Sequence, residues 1–162
     1  MKKVLVLRHA KAVNACRIQD HDRELHPLGV SDSKLIGKYI ASINSIPNLV
    51  ISSSAIRAHS TAKNVINSGS WQSKLLVNPS IYGAKPEYLL YLLAEQSEQY
   101  ESVCLVGHEP NFSQFTSLST DEIYRPFGTA NIALIEFNID KWSDIKFGEG
   151  ILSWLISPKS LK

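Results

Sequence analysis

The chain has 162 residues, 17 of them Lys or Arg and 15 Asp or Glu, so its formal net charge is +2, and 44% of its residues are hydrophobic. That length and apolar content suit one domain, spanning 1–162, that buries its own core without metals or disulfides, and they exclude disorder for most of the chain. The small positive balance is spread along the sequence and supplies no basic stripe of the kind that nucleic-acid binding through the phosphate backbone requires. Cys16 and Cys104 stand far apart with no second cysteine beside either. This fits neither a disulfide framework nor a Cys-rich zinc site and points to a reducing compartment. Arg8 and His9 end the apolar run Val4 to Leu7 too early for a signal peptide, and charges or prolines break every window before the roughly 18 apolar residues of a membrane span. A cytoplasmic protein with no membrane or nucleic-acid partner is expected, with a monomer as its state.

In chain order, Lys3 to Leu7 is a near-continuous run of branched apolar residues, as in a strand buried on both faces of a parallel sheet. Polar residues 14–24 form a segment whose length favours an ordered functional loop over a linker. From Pro27, which suits a first helical position, Val30, Leu35, Ile36, Tyr39, Ile40 and Ile43 follow the helical period, and the helix ends before Pro47. A strand at 48–52 precedes a helix at 55–67, with Ala58, Ala62, Val65 and Ile66 on one face and Arg57 in its first turn. A short strand at 75–77, a helix at 86–96, a strand at 102–106 and a helix at 111–118 follow. Strands at 130–137 and 151–156 close the chain. Tyr82 and Tyr88 are expected in the core with Leu89 to Leu93. The alternation predicts an α/β sheet with helices on both faces.

In open α/β sheets ligands bind outside the carboxyl ends of the strands. Three such places hold reactive side chains: Arg8 and His9 after the first strand, Arg57 after the second, and His108 after the strand at 102–106. Two arginines and two histidines suit a phosphoryl group, because guanidinium forks donate paired hydrogen bonds to its oxygens. A neutral imidazole can also attack phosphorus, splitting one hard step into two through a phosphohistidine. A zinc site built from His9, His108 and a carboxylate is disfavoured because the two arginines would repel a dication.

Five segments carry a resemblance. Leu7-Arg8-His9-Ala10 resembles the Arg-His-Gly signature of the histidine phosphatase (phosphoglycerate mutase-like) superfamily, with Ala for Gly. Asp22 to Gly29 and Ser52 to Ala62 are similar to two further segments of its short SixA-like branch, the phosphohistidine phosphatases, with His26 where Thr is usual and Ser54 where Pro is usual. Ile81 to Ala84 and Val106 to Asn111, with the ending at 150–158, extend the match over nearly the whole chain. The resemblance implies a three-layer α/β/α sandwich with a mostly parallel sheet, no metal and no cofactor. By it His9 is the nucleophile, Arg8 and Arg57 hold the phosphoryl oxygens, and His108 donates a further hydrogen bond; His21 could line the mouth as a weak substrate contact. The Ala10, His26 and Ser54 departures remove no catalytic group, and His26 could still cap the following helix.

Splitting an alkyl phosphate ester needs a positioned acid, worth roughly 10²- to 10⁴-fold. Asp22, Glu87 and Glu109 are the carboxylates to consider, and each reads more simply as structural or solvent-facing. A P–N bond suffers less from a missing acid because the leaving imidazole is readily protonated. Phosphohistidine on a phosphotransfer protein or carrier is therefore the expected substrate. A phosphatase for phosphoester metabolites or phosphoserine, and a phosphoprotein-binding module without turnover, are the alternatives.

Overall fold

A computed structural model describes residues 1–162. Strand β1 (Lys2–Arg8) is followed by helix α1 (Pro27–Ser42), β2 (Leu49–Ser52), α2 (Ile56–Ser68), β3 (Lys74–Val77), α3 (Pro86–Ala94), β4 (Ser102–Gly107), α4 (Asn111–Thr120), β5 (Ile132–Phe137) and β6 (Gly150–Ile156). These join one six-stranded sheet in the order β3-β2-β4-β1-β5-β6. The first four strands of that order run parallel, whereas β5 pairs antiparallel with both β1 and β6.

Alternation along β1 divides the core. Val4 and Val6 face one layer, where Leu89 and Leu93 of α3 and Phe112 and Phe115 of α4 cover the sheet together with Trp142. Leu5 and Leu7 face the other, against Ile36 and Ile40 of α1 and Ala58, Ala62 and Val65 of α2. All of these side chains are buried, so the branched run at 3–7 forms a strand because water reaches neither face of it. No helix is long and apolar enough to cross a membrane.

Most elements lie where the hydrophobic spacing puts them. β5 starts at Ile132 and not at 130, because Ala130 sits in the left-handed region at φ 59° and turns the chain just before the strand. His26 caps α1: its Nδ1 accepts from the Leu28 amide at 3.0 Å, so the imidazole does what Thr would do there. Tyr82 departs from the expected core position. It is 40% exposed, because the short 3-10 turn Pro79–Ile81 buries Ile81 and throws the next side chain outward.

Pairing register sets up the site. Arg8 pairs with Gly107 across β1 and β4, and Ser52 with Val106 across β2 and β4, so β1 and β4 end together and β2 ends one residue short of them. The residues just beyond, His9, Ser53 and His108, therefore emerge side by side at one edge of the sheet. Gly107 has no room for a Cβ, since the Phe112 ring packs onto its α-carbon, and this holds α4 against the end of β4.

Candidate active site

The backbone around His9 is fixed on three sides. Its amide donates to the Gly107 carbonyl at 2.9 Å, its carbonyl accepts from Ala130 at 3.0 Å, and the next amide, Ala10, donates to Thr61 Oγ1 at 3.0 Å. Thr61 in turn donates to the Arg57 carbonyl at 2.7 Å, so one hydroxyl ties the loop after β1 to the first turn of α2. The imidazole is only 8% exposed.

Two independent contacts assign its proton. Nδ1 lies 2.7 Å from the Ala10 carbonyl, which can only accept, so Nδ1 carries the hydrogen. Nε2 accepts from Arg57 Nε at 3.3 Å, which leaves it the lone pair. Burial, with Arg57, Arg8 and Arg23 nearby, lowers the imidazole pKa to about 4 against the opposing pull of the Ala10 carbonyl. His9 is thus neutral at pH 7, with its unprotonated nitrogen facing a guanidinium.

His108 stands with its ring 5.3 Å from that of His9. Burial first, then the charges of His9 and Arg57, lower its pKa to about 3. Its Nε2 is 2.8 Å from Ser53 Oγ, and that oxygen already accepts from the Ala55 amide at 3.2 Å. The Ser53 hydrogen is accounted for when it points to Nε2, which puts the ring's own hydrogen on Nδ1. Nδ1 is buried and has no partner, and the same is true of Arg8 Nε. Arg8 and His108 thus each keep one buried donor without an acceptor, although buried donors are normally paired. Arg8 is anchored by its other arm, Nη1 donating to the Phe127 carbonyl at 2.7 Å.

The structure therefore brings together Arg8, His9, Arg57 and His108. His21 sits at the mouth, its Nε2 2.9 Å from Ser54 Oγ and its ring edge-on to Tyr82. The three carboxylates singled out in the sequence lie elsewhere. Glu109 accepts from the Ser113 amide and hydroxyl and from the Phe127 amide, pinning the start of α4 to the segment that holds Arg8. Asp22 is exposed beside His21, and Glu87 is exposed in the first turn of α3.

Sequence reasoning missed Asp20, Tyr82 and Ser53. Asp20 Oδ2 accepts from Arg57 Nη2 at 2.9 Å, its backbone carbonyl accepts from Nη1 at 2.7 Å, and its Oδ1 accepts from Arg23 Nη1 at 3.0 Å. Tyr82 donates its phenol to the same carboxylate, and its ring stands edge-on to His108. The phenol bond, then Arg23 and Arg57, hold this carboxyl far below the usual carboxylate range, so Asp20 is an anion at any working pH. The spacing of Asp20 and Arg23, three residues apart in a polar loop, was the available signal.

No protein-family model matches the chain. Among curated proteins it is similar to an uncharacterised chloroplast protein of Arabidopsis thaliana, 24% identical over 98% of this chain and 79% of that one. It is also similar to an uncharacterised protein of Mycobacterium tuberculosis, 28% identical over 88% of this chain and 93% of that one. Among solved structures, a SixA-type structure from Agrobacterium tumefaciens superposes with TM-score 0.83 at 25% identity over 97% of this chain and 98% of that one. A protein histidine phosphatase SixA complexed with tungstate gives TM-score 0.85 at 24% identity, covering 99% of each chain. A mycobacterial glucosyl-3-phosphoglycerate phosphatase complexed with VO3 follows at TM-score 0.71 and 15% identity, over 95% of this chain and 98% of that one. In its motifs and in this superposition over nearly the whole chain, the protein is similar to the SixA phosphatase structures and shares their fold.

Proposed function

We propose that the protein is a metal-independent phosphatase that removes the phosphoryl group from phosphohistidine on another protein, through a phosphohistidine formed at His9. The observation that carries this reading is the state of His9: Nδ1–H held by a carbonyl, Nε2 unprotonated, and the Arg57 Nε donating to it at 3.3 Å. In the first step Nε2 attacks phosphorus in line, the Nε2–P bond forms, and the substrate P–N bond breaks. The leaving imidazole takes its proton from solvent. Arg57, the unpartnered Arg8 Nε and the unpartnered His108 Nδ1–H supply donors for the three phosphoryl oxygens as charge develops on them. Water then attacks the phosphorus on His9, the Nε2–P bond breaks, and inorganic phosphate leaves with His9 neutral again.

The substrate class follows from the missing acid. Glu109 spends its oxygens on α4 and Phe127, and Asp20 is held ionised by Tyr82, Arg23 and Arg57. Neither is a proton reservoir for an alkoxide. An imidazole leaves without one. The solved relatives described as SixA structures support the same substrate class.

Phosphate release with EDTA present, from a phosphohistidine protein and a phosphoserine peptide side by side, tests the reading. Faster release from phosphohistidine, lost in His9→Ala, is expected. Equal or faster release from phosphoserine would overturn the substrate assignment. Binding without release from a folded protein would favour a phosphoprotein-binding module.

A further inference from the structure

Two edges of a guanidinium can grip an oxyanion, and Arg57 offers His9 the edge formed by Nε and Nη2. A phosphoryl group under attack by His9 Nε2 must lie against this edge. Nη2, whose two hydrogens border both edges, already donates to Asp20 Oδ2 at 2.9 Å, and Nη1 donates to the Asp20 carbonyl at 2.7 Å. An internal carboxylate thus shares Nη2 with any phosphoryl oxygen on the edge that faces His9.

The surroundings keep it there. The carboxylate also accepts from Arg23 and Tyr82, and Arg23 Nε is tied to the Val13 carbonyl at 2.9 Å. His21, next in the chain, reaches Ser54. The turn Asp20–Asp22 is in this way clamped over the start of α2, and Tyr82 closes the side toward His108. The burial of the site agrees with this: His9 and His108 are 8% exposed and Arg57 5%, and none of the surface cavities is lined by any of the three.

We propose that Asp20 is a specificity-determining residue, an internal anion that competes with phosphoryl oxygens for Arg57 and so weakens the binding of free phosphate and small phosphorylated compounds. The inference rests on the reading of Arg57 as a phosphoryl-binding residue. A phosphoryl group on Arg57 must share Nη2 with the Asp20 carboxylate, and the two anions repel one another. Inorganic phosphate brings nothing else to offset that repulsion. A phosphorylated protein brings contact surface beyond the phosphoryl group, and product phosphate, once detached from it, faces only the repulsion of the Asp20 carboxylate.

Binding of inorganic phosphate and of tungstate, measured by calorimetry on the intact protein, tests this without requiring turnover. Asp20→Asn removes the charge and keeps the shape, and Asp20→Ala removes the acceptor. Both should bind the anions about tenfold more tightly than the parent, the scale of one charge-assisted contact. Asp22→Asn makes the same charge change in the same turn without touching Arg57 and should shift affinity less than about twofold, as expected for an exposed charge. The gain should vanish when Arg57→Ala is added to Asp20→Asn. Equal or weaker binding in the Asp20 variants, with binding in the parent still lost in Arg57→Ala, would overturn the competitor role and leave the phosphoryl site standing. An equal gain in Asp22→Asn would also overturn it, by reducing the effect to net charge. No anion binding in any form would overturn both.

Discussion

At the scale of single residues, the site runs on where hydrogens sit. His9 keeps its hydrogen on Nδ1 because a carbonyl faces that atom, and His108 keeps its own on Nδ1 because Ser53 donates to Nε2. Ser53 never meets substrate in this account; it positions His108. Removing its hydroxyl in Ser53→Ala leaves Nε2 free to take the hydrogen, and the donor at Nδ1 is lost. The expected result is a change of His108 tautomer, read from long-range ¹H–¹⁵N couplings at pH 7, with a fall in turnover of about 10²-fold, the scale of losing one oxyanion donor. An unchanged tautomer would remove this role from Ser53.

At the scale of elements, three strand ends and one helix start make the site, and most of this was legible in the sequence. Arg8 and His9 close an apolar run, His108 follows another, and Arg57 opens an amphipathic helix, so periodicity alone placed each at a strand end or helix start. Register was not legible. The alignment of Arg8 with Gly107 and of Ser52 with Val106 depends on pairings between residues far apart in the chain, which no local pattern records. Asp20 and Tyr82 stayed hidden for the same reason. Asp20 looks like any loop charge until the turn folds back on α2, and Tyr82 looks like core until Ile81 takes the buried position beside it. Glu109 shows the reverse: a carboxylate beside a site histidine invites a chemical role, but its oxygens hold the backbone of Ser113 and Phe127.

For the molecule as a whole, burying two neutral histidines makes stability depend on pH. Their folded pKa values, about 4 for His9 and about 3 for His108, lie below the unfolded value of about 6.5. Between those values the unfolded chain binds more protons than the folded one, so stability rises with pH across this window and levels off above it. Acidifying from pH 6.5 toward 4 should cost on the order of 1 kcal/mol per pH unit for each ring. Urea unfolding at pH 7 and pH 5 should show this loss, and a variant with both rings replaced should show a shallower one. Identical slopes would mean that the two rings are not held neutral.

In the proposed mechanism His9 takes the phosphoryl group onto Nε2. Mixing the protein with a phosphohistidine protein labelled on phosphorus, quenching within milliseconds in alkali and digesting the product tests it most directly. Label on the peptide containing His9, absent from His9→Ala, is the predicted result. Phosphate release at full rate from His9→Ala, or label on any other residue, would contradict it.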